Sequence, residues 1–174
     1  VILIPLAGAQ QISSVSPRTV IVGESVELEI TGRNLGLSGD GNLEILASFP
    51  CQQEIISEEP KPPADEKAAK PRSKVRLKVS LKEDVQVGVG WLRLVTSMGI
   101  TPPILFLIDD MPTRRVDSKT RRDDVVLLEP PLAIESRTPN LDGHYYKLEA
   151  KSGQRIAIEV IGSRLGEDVD AVLK

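Results

Sequence analysis

His144 is the single histidine of this chain and Cys51 its single cysteine, so acid-base or nucleophilic machinery has few places to stand. General-base work near neutral pH falls most often to histidine, paired with a hydroxyl or thiol that it deprotonates. His144 follows Asp142-Gly143 and precedes two tyrosines, the setting of a turn that opens a strand. No Gly-x-Ser-x-Gly elbow is present, and Cys51 lies in a different stretch of the chain. His144 therefore reads as an exposed turn residue and Cys51 as a small buried hydrophobe, and no catalytic residue is expected. Zinc needs Cys and His at short spacings, which one of each does not supply. Calcium needs converging oxygens. Asp109-Asp110, Asp123-Asp124 and Glu167-Asp168-Val169-Asp170 are acidic clusters, and of these only the last, with Asp142, could converge at a sheet edge. Asp142, Asp168 and Asp170 are thus weak calcium candidates, set against the more ordinary reading of solvated acidic turns. Calcium is the one cofactor left open.

Phosphate chemistry has no cradle. Gly36-Leu37-Ser38-Gly39-Asp40-Gly41 is glycine-rich but lacks a following Lys-Ser/Thr and a helix behind it, and reads as a β-hairpin loop. The basic stretch from Lys61 to Lys78 is interleaved with acids and prolines, so it reads as solvated rather than as a polymer-binding patch. A net charge of −3 likewise offers no general attraction to nucleic acid or anionic membrane.

The elements that would position any site are strands. Hydrophobic residues form 40% of the 174-residue chain but aromatics only 3%, so a core must be built from Val, Ile and Leu, the β-branched types above all favouring strands. Ser25-Val26-Glu27-Leu28-Glu29-Ile30-Thr31 alternates strictly, with Val26, Leu28 and Ile30 on one face. Val75 to Leu81 and Gly90 to Thr96 alternate in the same way, and Ile12 to Val15 and Leu43 to Leu46 are shorter strands. Ile104 to Ile108 is continuously apolar, as expected of a strand buried on both faces. Residues 54–73, rich in Glu, Lys and Pro, read as a mobile loop between strands. Residues 110–124, charged and holding Pro112, read as a linker between two domains. Beyond it, Val125 to Leu128, Leu132 to Ile134, Tyr145 to Ala150 and Arg155 to Ile161 are further strands, the last two joined as a hairpin through Lys151-Ser152-Gly153-Gln154. Short strands at this spacing define an all-β chain of sandwiches.

At the start, Val1-Ile2-Leu3-Ile4-Pro5-Leu6 followed by Ala7-Gly8-Ala9 reads as the remainder of a signal peptide cleaved before Gln10. Ala171-Val172-Leu173-Lys174 closes the sequence inside an apolar run, as expected of a piece of a longer protein.

Two stretches look like known families. Ile12-Ser13-Ser14-Val15-Ser16-Pro17, then Val22-Gly23-Glu24, then Leu28-Glu29-Ile30-Thr31-Gly32-Arg33-Asn34-Leu35, resembles the opening of IPT/TIG domains, which are immunoglobulin-like. Tyr145-Tyr146-Lys147-Leu148-Glu149-Ala150-Lys151-Ser152-Gly153-Gln154-Arg155-Ile156, with Gly162 to Leu173, resembles the first half of a bacterial pre-peptidase C-terminal (PPC) domain, a small sandwich appended to secreted proteins. Their order is similar to that in large exported proteins of planctomycetes. The PPC pattern often carries Asp-x-Asp before its Tyr where this chain has Asp142-Gly143-His144, and its later strands are expected only beyond Leu173.

The resemblance implies an immunoglobulin-like sandwich over 10–109 and the opening of a second, incomplete, jelly-roll-like sandwich over 125–174. It also implies secretion, a periplasmic location or display at the cell surface, with no membrane insertion beyond the signal peptide. The expected function is that of a non-catalytic structural or interaction module. Its expected partners are other domains of the same protein, an extracellular protein or a polysaccharide, and not nucleic acid. The alternative is an accessory N-terminal region of a secreted peptidase or other hydrolase whose catalytic domain lies beyond residue 174.

Overall fold

The computed structural model describes residues 10–37, 42–59, 73–116, 125–136 and 144–167. Thirteen strands and one turn of 3-10 helix account for the regular structure among them.

Alternation builds the first sheet. Strands β1 (Gln11–Ser16), β3 (Ser25–Arg33), β5 (Gln52–Glu59) and β6 (Ser73–Ser80) form a four-stranded antiparallel sheet in the order β1-β3-β6-β5. Leu28, Ile30, Val75, Leu77 and Val79 point inward and are essentially without exposure. The second sheet runs β2 (Thr19–Ile21), β9 (Ile104–Asp109), β7 (Gly88–Thr96), β4 (Glu44–Ala47), with the two-residue β8 (Gly99–Ile100) folded onto β7. Its inward residues Val20, Leu92, Leu94, Ile104, Phe106 and Ile108 meet those of the first sheet in one core. The chain changes sheet at Pro17-Arg18, between β1 and β2, as a proline that cannot donate to a ladder permits.

Four strands ordered first, second, fifth, fourth facing a sheet ordered last, sixth, third is the constant-type immunoglobulin arrangement, with β2 as an added edge strand and β8 as part of the β7–β9 connection. The fold is therefore an immunoglobulin-like β-sandwich, reached through residues that alternate in and out.

Past Asp109 the chain turns out of the sandwich. The Asp109 carboxylate accepts bonds from the backbone N–H groups of Asp110 (2.9 Å) and Met111 (3.2 Å), which caps this turn. Four short strands follow: β10 (Thr113–Val116), β11 (Val126–Leu128), β12 (Ala133–Ser136) and β13 (Tyr146–Leu148). They pair in parallel, β10 with β12 and β11 with β13.

Several expectations need correction. Glu54 to Glu59 are not loop but the end of β5, and Ser73 opens β6; the rest of the expected loop, 60–72, lies outside the described residues. A register shift between Ile55 and Ser57 hides the alternation of β5, and Glu54 and Glu59 lie opposite Lys78 and Lys74, where opposite charges favour pairing. Within the expected linker, Thr113–Val116 form β10 with Val116 buried, so the second region begins before residue 125. The segment between β3 and β4 joins different sheets and is no hairpin. The hairpin expected at Lys151-Ser152-Gly153-Gln154 does not form. Its turn is present, with Gly153 at φ +81° and Gln154 N–H bonded to Lys151 O at 3.0 Å, but β13 pairs with β11 and no strand is assigned to Arg155–Ile161. Ile104–Asp109 is a strand, with Leu105 and Leu107 half-buried rather than fully covered. The expected signal-peptide remnant over 1–9 lies outside the described residues.

Candidate interaction surface

The two sheets share one core but present opposite chemistry outward. On the four-stranded sheet, cross-strand rows alternate in sign: Glu27 and Glu54 flank Lys78, while Thr31 and Glu59 flank Lys74. Glu29 takes Lys74 at 3.2 Å and Arg76 at 3.7 Å, ion pairs at the surface. Exposed pairs of this kind add about 0–1 kcal/mol each, and their main effect is to keep the face wet.

The outward face of the five-stranded sheet is apolar by contrast. Val89 stands opposite Leu107, Trp91 opposite Leu105, Leu46 opposite Arg93, and Val95 opposite Ile100. Residues directly opposite in a ladder share a face, so these side chains form one continuous strip. Leu46, Val89 and Ile100 are well exposed, and the Arg93 guanidinium lies over the Trp91 ring at 5.3 Å from its centroid. Trp91 is held by the β4 side of the sheet: its N–H donates to Ser48 Oγ (2.8 Å) and its carbonyl accepts from Ser48 N–H (2.9 Å). An exposed apolar strip with an aromatic centre marks a contact surface rather than a solvated one.

One end of this strip is already occupied. The 3-10 turn Ser163–Leu165, ended by Gly166 at φ +77°, sits against β9 near Leu105. Arg18 ties it down. Its guanidinium donates to Leu165 O at 2.9 Å and Leu105 O at 3.4 Å and pairs with the Glu167 carboxylate at 2.6 Å. The Arg18 backbone N–H donates to Glu135 Oε1 at 3.0 Å, and the same carboxylate stands 3.8 Å from the Arg115 guanidinium. One residue between β1 and β2 thus meets both β12 and the chain after β13. The planar fork of arginine suits this several-bond role. Nothing in the sequence marks Arg18, because the carbonyls it meets lie 87 and 147 residues further along and Glu167 lies further still.

Of the residues singled out from sequence, the described ones are His144, which precedes β13, and Cys51, which precedes β5. His144 stacks on Tyr146, ring centroids 6.2 Å apart and nearly parallel. Cys51 is half-buried just before β5; burial pushes its thiol pKa up, and a bond from Gln53 Nε2 at 3.2 Å opposes this only in part, so the thiol is disfavoured as a nucleophile. Asp142, Asp168 and Asp170 lie outside the described residues. Among the described residues no three His, Cys, Asp or Glu side chains gather as a metal ion requires. No helix among them is long and apolar enough to cross a membrane.

Neither any family model nor any curated protein matches the chain. Among solved structures it is similar to the Lin-41 filamin domain, at TM-score 0.37 and 14% identity, over 61% of this chain and 97% of that one.

Proposed function

We propose that this chain is a non-catalytic interaction module of an exported protein, which uses the outer face of its five-stranded sheet to seat a second β-rich region. The observation that carries the reading is the contrast of the two outer faces, one a charge ladder and the other an apolar strip already touched by residues 162–167. Function in sandwiches of this kind lives in faces and loops rather than in the fold itself. Export and surface location rest on the signal-like start and on the resemblance to IPT/TIG and PPC domains.

Arg18→Ala in the full chain tests the seating. Arg18 precedes β2 and is partly solvent-facing, so the sandwich core is untouched. Its loss removes bonds to charged or carbonyl partners worth about 1–3 kcal/mol together, enough to open a contact but not a core. The radius of gyration in dilute solution should rise, and protease cleavage between residues 125 and 167 should accelerate. An unchanged radius with unchanged cleavage contradicts the reading. The chain should also show no turnover of peptides or esters, and activity abolished by His144→Ala would overturn the non-catalytic assignment.

A further inference from the structure

The segment Arg155–Ile161 is an oddity in this molecule. It alternates as a strand does, yet Ile156, Ile158 and Val160 are 41%, 56% and 49% exposed and no ladder receives them. Exposure falls only at its far end, where Ile161 and Gly162 become half-buried as the chain reaches the turn clamped by Arg18. The apolar strip of Val89, Trp91 and Leu46 continues from that same clamp, beyond the occupied Leu105. Two exposed apolar surfaces therefore meet at one anchored point.

We infer that Arg155–Ile161 is a strap that closes over the Trp91 strip of its own chain, extending the seat formed at Leu105. This rests on the reading of that face as the docking face. The geometry allows it. Strands of a sheet lie about 4.8 Å apart, so the path from β9 across β7 to β4 is about 10 Å, and five extended residues from Ile161 back to Ile156 reach about 17 Å. Ile156, Ile158 and Val160 fall on one side of the extended segment and are spaced to lie on the strip together. Gly162 is the pivot, lying just before the clamped turn. Closing removes apolar area from water on both surfaces while leaving the Arg18 clamp in place.

Trp91 is the sole tryptophan, so its fluorescence reports on this strip alone. In the full chain, Ile156→Asp, Ile158→Asp and Val160→Asp together should shift Trp91 emission to the red and raise its quenching by acrylamide, at all protein concentrations. The substituted side chains lie outside the core, and retained β circular dichroism confirms a folded sandwich. As a second measurement, a nitroxide on Ile158→Cys, in a Cys51→Ser background, should quench Trp91. Emission indifferent to the triple substitution, with no nitroxide quenching, overturns the strap. Quenching or a shift that appears only at high concentration also overturns it, in favour of a second copy as the occupant. A strap that fails while Arg18→Ala still opens the molecule leaves the docking face standing; failure of both removes the two together.

Discussion

Arg18, Thr101 and Glu135 show how single side chains settle matters that patterning leaves open. Thr101 is buried where a strand would prefer Val or Ile, and its Oγ1 accepts the Leu94 N–H at 2.9 Å while its own N–H donates to Leu94 O at 2.9 Å. The hydroxyl completes the ladder where Pro102 and Pro103 interrupt it. Thr101→Val keeps shape but leaves a buried N–H without an acceptor, and should cost about 1–3 kcal/mol in denaturant melts, whereas Thr101→Ser should cost less. Glu135 acts between regions. One of its oxygens meets both the Arg18 N–H and the Arg115 guanidinium, so it holds β12 against the sandwich while Arg18 holds the turn after β13.

At the scale of elements, the close approach of β7 and the segment after β4 is decided by Gly90. A Cβ there would stand 2.5 Å from Phe49 Cδ1 and 3.0 Å from Ile108 Cδ1, so the glycine leaves room for the ring of Phe49 in the core. Gly90→Ala should destabilise the sandwich by about 1–3 kcal/mol by overpacking, read as a lower melting temperature with the same β spectrum. Elements with strict alternation were legible in the sequence. Val26, Leu28 and Ile30 in β3 and Val75, Leu77 and Val79 in β6 face inward because a two-residue period leaves them no other way to be buried. The elements that escaped lack that period. In β5 a bulge breaks it, and β10 reads Thr-Arg-Arg-Val, which only its parallel partner β12 makes a strand. The hairpin expected after Tyr145 fails for a related reason: local turn chemistry at Gly153 is satisfied, but β13 finds its ladder with β11, some twenty residues earlier, and the second arm is left unpaired.

For the whole molecule, the core was legible and the surface was not. Inward residues announce themselves by type and spacing, whereas a face becomes visible only when strands distant in sequence are set side by side. Leu46, Trp91, Leu105 and Ile100 come from four strands, and none is unusual alone. His144 and Cys51, chosen for their chemistry, end up in a ring stack and at a half-buried position just before a strand. Chemistry-bearing residue types carry little information here, and packing asymmetry carries more. A sandwich with one charged and one apolar outer face is built to be covered on one side.

Hydroxyl-radical footprinting of the intact chain against Arg18→Ala measures that asymmetry directly. Reactivity should increase at Leu105 and Leu107 on the five-stranded sheet and stay level at Ile56 on the opposite one. An equal increase on both sheets, or none at Leu105 and Leu107, would show that the apolar face is not where this protein holds its neighbour.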